Sequence, residues 1–90
     1  MDVTDHPERH RFELPVGGGD VAVASYELSP GVIAITHVIV PAHAEGRGVG
    51  SKLTAHALDA ARERGLKVVP ICPFVAAYIE RHPELADLLA

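Results

Sequence analysis

The run VIAITHVIV, from Val32 to Val40, is almost unbroken in β-branched and apolar residues and stops at Pro41. A few residues on, Gly46, Gly48 and Gly50 stand at alternate positions and lead into a segment of helical periodicity. This strand–glycine–helix junction limits the fold more than any other feature. The run reads as a strand covered on both faces, since it lacks a regular polar alternation. Glycine is costly in backbone entropy, so three at one junction imply a sharp turn or a close approach to the backbone. A helix N-terminus leaves N–H groups unpaired and carries about half a positive charge, which suits an anion. Two readings stay open here: the amides of Gly46 to Ser51 cradle a pyrophosphate, or the glycines let strand and helix pack tightly.

The elements around the junction follow from pattern. Met1 to Arg9 is polar and contains proline, and reads as a flexible N-terminal tail, leaving residues 10–90 as one domain. Phe12, Leu14 and Val16 alternate as in a half-buried strand, and Gly17 to Asp20 marks a turn into a second strand, Val21 to Leu28. Ser29-Pro30-Gly31 suits a type II turn, so three strands form an antiparallel meander. After the glycines, Val49, Leu53, Ala57 and Ala60 or Ala61 fall on one helical stripe, and Gly65 is placed to end the helix. A short strand, Leu66 to Ile71, lies between this helix and a second one, Phe74 to Arg81, and Pro83 opens a final turn. The expected class is α/β, with order β-β-β-α-β-α.

Composition narrows the partners. Eight Lys and Arg against twelve Asp and Glu give a net charge of −4, against nucleic acid or an anionic membrane as the main partner. A single cysteine, Cys72, fits a reducing compartment, and no apolar run reaches the roughly 18 to 20 residues of a membrane span. A cytoplasmic protein is expected. His6 and His10 have the spacing of paired ligands on a helix, but Pro7 lies between them and no third ligand is evident, so no metal is expected.

The familiar phosphate motifs do not fit. A P-loop needs lysine after its last glycine, where this chain has Ser51, and the Rossmann fingerprint needs glycine at position 51 itself. Instead, Val38-Ile39-Val40-Pro41 followed by Gly46-Arg47-Gly48-Val49-Gly50-Ser51 resembles motif A of the GNAT (GCN5-related) N-acetyltransferases. The stretches RFEL and ARERGLKVVPICPFVAAYIERHPE extend the resemblance to about His6–Leu89, and together look like the short single-domain members of that family.

The resemblance implies a compact mixed sheet with a parallel strand after the motif-A helix, and an acetyl-CoA-dependent transfer of acetyl to an unidentified amine. Its pyrophosphate would lie on Gly46, Arg47, Gly48, Val49, Gly50, Ser51 and Lys52, and its pantetheine arm beside Ile39 and Val40, between Val32–Val40 and Leu66–Ile71. His37 alternates with Ile35 and Ile39, so it is expected on their face, as a base or as a satisfied core histidine. Cys72 is a candidate nucleophile or thioester contact, or packing. Tyr78 resembles the tyrosine that protonates the leaving thiolate, or is a core aromatic. Glu45 stands where motif A has Gln or Arg, and His37-Val38-Ile39 where short relatives carry a carboxylate. The helices that roof the acceptor in longer relatives are replaced by Gly17 to Asp20, which implies an open acceptor site. A non-catalytic acyl-CoA-binding or interaction module is the alternative, and the oligomeric state is left open.

Overall fold

The computed structural model describes residues 2–90. A single five-stranded sheet carries the chain, in spatial order β1 (Thr4–His6), β2 (Arg11–Gly17), β3 (Asp20–Ser29), β4 (Val32–Ile39) and β5 (Lys67–Pro70). The first four strands pair antiparallel and β5 runs parallel to β4, joined to it by helix α1 (Val49–Glu63). Helix α2 (Pro73–Arg81) and a 3-10 segment over Pro83–Leu88 complete the fold. The expected mixed α/β meander and parallel return are present.

Phe12, Leu14, Ala22, Ala24, Ile33, Ile35 and Val68 form the buried side of the sheet. Leu53, Ala57 and Ala61 of α1 and Val75 and Ile79 of α2 join them in one core. Helix α1 ends as its sequence indicates: Gly65, at φ +67°, follows Arg64, and the Leu66 N–H bonds back to the Ala61 carbonyl.

The N-terminal tail requires correction. Thr4–His6 is an edge strand registered on Glu13, Phe12 and Arg11. Met1 lies outside the described residues. The strand is held by side chains far off in sequence: Asp5 accepts a 2.6 Å hydrogen bond from the buried Tyr26 hydroxyl and pairs with Arg64 at 2.9 Å. Burial, then Asp5, pushes the Tyr26 hydroxyl well above the usual tyrosine range. A second anchor is Glu13, only 6% exposed, which lies 3.5 Å from His6 Nε2 and also meets Arg11 Nε at 2.6 Å and Arg9 at 3.1 Å. Polar short-range sequence gave no sign of either anchor.

Strand β4 is covered on one face, not two. Pairing steps from Tyr26↔Ile35 to Ser25↔His37, so Thr36 is an extra residue, a β-bulge, and the inward side switches phase across it. Ile33 and Ile35 point into the core before the bulge; Val38 and Val40 pack against it afterwards. His37 is therefore turned away from the face of Ile35, and Ile39 is 57% exposed.

Tyr26→Phe should lower stability by about 1 to 2 kcal/mol, because Asp5 loses a charge-assisted partner. Amide hydrogen exchange at Thr4–His6 should accelerate more than in the remaining strands; equal protection in the variant would contradict the anchoring. For Glu13, the Arg11 guanidinium holds the carboxyl below its ordinary range. A depressed folded pKa contributes stability above the unfolded value of about 4.3, lost as pH falls through the folded one. Denaturant midpoints of Glu13→Gln should thus lie below the wild type at neutral pH and converge with it in acid.

Candidate functional site

The parallel pair of β4 and β5 is short for reasons visible in its residues. Pro70, opposite Ile35, is the last residue of β5. The Ile71 N–H folds back to the Val69 carbonyl at 3.1 Å, and the Cys72 N–H makes the last bond across, to the Ile35 carbonyl at 3.0 Å. Pro73 then starts α2. Beyond that bond β4 continues to Ile39 without a strand on its outer edge, so the two strands part in a V. Ile39 and Ile71, each 57% exposed, flank its mouth.

Above the V, Ala42–Ala44 forms a single 3-10 turn with Ala44 buried, and His43 bonds Asp20 at 2.9 Å, tying this loop to the β2–β3 turn. Gly46 and Gly48 follow at φ +81° and +73°, values that L-residues avoid, with nothing within 4 Å of where a Cβ would stand. Gly48 is the N-cap of α1, no side chain caps it, and the first turn holds no acid. The first amides of α1 thus border a hollow of about 230 Å³, lined by Val40, Glu45, Gly46, Gly48, Gly50, Ser51 and Phe74 among others. Across the loop, Arg47 and Lys52 line a second hollow of about 210 Å³ with Leu14, Pro15 and Val16. The glycine-run residues, Lys52 and Val40 therefore stand around one loop, flanked by two hollows; Ile39 lies at the end of β4. An anionic ligand with an extended arm fits this arrangement: open space over positive-φ glycines, uncapped amides, two cations close by.

The three candidate reactive residues are spread differently from the sequence expectation. His37 is exposed, 3.1 Å from the Thr36 hydroxyl, on the sheet face away from the helices. Cys72 is 7% exposed at the N-cap of α2, inside the core cluster. Tyr78 packs against the core from α2 and stacks on His82, ring centres 4.1 Å apart. Phe74, which lines the cleft, escaped the sequence reading; its position two residues after Cys72 was the available signal. Among the described residues no three His, Cys, Asp or Glu gather as a metal site requires, and no helix is long and apolar enough to cross a membrane.

Fold and cleft together define a small mixed-sheet protein whose parallel strands part beneath a glycine-rich helix terminus. The profile of the GCN5-related N-acetyl-transferases matches residues 11–88, and the chain belongs to that family. Mouse (Mus musculus) protein NATD1 is 31% identical over 78 residues, covering 84% of this chain and 71% of the relative. The NMR solution structure of a GCN5-like protein from Staphylococcus aureus superposes with a TM-score of 0.77, over 99% of this chain and 87% of that one. At 24% identity that likeness speaks for the fold.

Cys72→Ala should cost about 1 kcal/mol, the loss expected for a small buried side chain. The native thiol should react with an alkylating maleimide only at the rate of opening, rising sharply in denaturant; rapid labelling of the native protein would contradict its burial.

Proposed function

We propose that this protein is an acetyl-CoA-dependent N-acetyltransferase that transfers acetyl directly to an amine approaching over the uncovered sheet face. The observation carrying this reading is the junction of the parted β4–β5 pair with the uncapped glycine terminus of α1. When bound, acetyl-CoA would supply the activated thioester. The amides of Val49, Gly50 and Ser51 would hold its pyrophosphate, with Arg47 and Lys52 adding positive charge from the neighbouring hollow. The free edge of β4 beyond Ile35 offers backbone N–H and C=O groups that otherwise need water. An arm bearing amides satisfies them, and Ile39 and Val40 border its path.

Direct attack is favoured over an acetyl-cysteine because Cys72 is buried among apolar neighbours. His37 is exposed on the face an acceptor can reach and is the proton acceptor of choice for the incoming amine. Tyr78 remains the candidate proton donor to the leaving thiolate. The β2–β3 connection is a tight turn through Gly17, Gly18 and Gly19, all at positive φ, so it leaves that face open to a bulky acceptor.

Acetyl-CoA should raise the melting temperature increasingly with concentration. In Gly48→Val a branched side chain would project into the open hollow at φ +73°. Affinity should drop at least tenfold, about 1.4 kcal/mol, in a variant that still folds. No thermal shift at millimolar acetyl-CoA would overturn the reading. Binding without acetyl transfer to any amine in a mass-spectrometric screen would favour the non-catalytic module.

A further inference from the structure

The third glycine of the run differs from the first two. Gly50 is helical, and a Cβ there would meet the Phe74 ring, 3.1 Å from Cζ and 3.4 Å from Cε2. The helix backbone at this point has little freedom to retreat, because the buried Thr54 hydroxyl donates to the Gly50 carbonyl at 2.8 Å. Phe74 therefore reaches from the first turn of α2 across to the first turn of α1, with its tip on bare backbone. The ring is nonetheless 40% exposed, and it lines the same hollow as Val40, Gly48 and Ser51. Its place is fixed from below as well: Cys72, two residues earlier, makes the final hydrogen bond between the parting strands.

We propose that Phe74 is the wall of the channel joining the anion cradle to the V, that it holds the arm of a coenzyme A thioester, and that Gly50 lacks a side chain to seat this ring. The proposal rests on the acyl-CoA reading above. A ligand with phosphates alone meets the helix amides and need not touch the ring. A ligand with an extended arm has to pass it to reach the parted strands. Half-exposed aromatic surface in a concave site is a usual means of holding such an arm. Phe74 thus separates arm-bearing from armless ligands, whereas Gly48 affects both.

The test is NMR titration, which follows binding into the millimolar range, with acetyl-CoA and with adenosine 3′-phosphate 5′-diphosphate (3′-phospho-ADP), which keeps the pyrophosphate, as the armless probe. The chain has two phenylalanines, and Phe12 is fully buried, so Phe74 ring signals are readily assigned. These signals should shift with acetyl-CoA and barely move with 3′-phospho-ADP. Phe74→Ala should weaken acetyl-CoA at least tenfold and change 3′-phospho-ADP less than twofold; Phe74→Leu, which keeps an apolar wall and guards against misfolding, should regain at least threefold. Gly50→Ala should also weaken acetyl-CoA, but add little in the Phe74→Ala background, the non-additivity of contacting residues. Equal loss for both ligands, undiminished acetyl-CoA binding or full additivity would overturn the proposal. If wild type binds neither ligand, the acyl-CoA reading itself falls and takes this one with it; if it binds both and the variants behave otherwise, this one alone fails.

Discussion

A parallel ladder takes its donors from alternate residues of a strand; Lys67 gives one to the Gly31 carbonyl, and in that phase the donor due after β5 ends at Pro70 is Ile71. Ile71 turns its N–H back on Val69, Cys72 gives the last bond to Ile35, and Pro73 takes the chain into α2. Everything distinctive about the molecule follows from that early stop. The outer edge of β4 from Thr36 onward is left with backbone groups that no strand satisfies, an arrangement proteins usually cover or blunt. Here it opens onto a cleft. The loop returning from β4 to α1 closes the top of that cleft and points an uncapped helix terminus at it. Edge, amides and open space converge because Ile71 leaves the ladder and α2 starts two residues later.

The bulge at Thr36 lies at the level where the strands part. By inserting one residue it lets Val38 and Val40 reach the core while His37 turns to the opposite face. A continuous alternation would have brought His37 to the helix side, away from solvent. Both helices contribute to one core on one side of the sheet, so the opposite face stays accessible around His37 and Ile39. In the proposed function the same geometry would separate binding from reaction, with the cradle at the helix terminus and the exposed imidazole on the far side of β4.

Most of this was legible beforehand, and the exceptions have definite causes. The meander and the helix after the glycines follow from period and turn residues, because each is set by neighbours within a few positions; the parallel return was implied by the family resemblance. The resemblance at Val38–Ser51 and at the CPFVAAYIERHPE stretch brought the cleft into view. The phase switch was hidden since Ile, Thr and Val occupy both faces of β4, and period two cannot locate an extra residue in a run that is mostly β-branched. The edge strand Thr4–His6 was hidden for another reason: it is stabilised by Tyr26, Arg64 and Glu13 rather than by an apolar pattern of its own. The three glycines looked alike as letters. Two serve a positive φ and the third a ring, a distinction that depends on a residue 24 positions away, read as Phe74 against Gly50.

The central claim is that an acyl-CoA occupies the V between β4 and β5 with its phosphates on the start of α1. Backbone amide shifts on titration with acetyl-CoA test it directly. The account predicts the largest changes at Gly46–Ser51, at Thr36–Val40 and at Ile71–Phe74, with Thr4–Arg11 on the far edge almost unmoved. Changes centred elsewhere on the molecule, or none at saturating ligand, would contradict it.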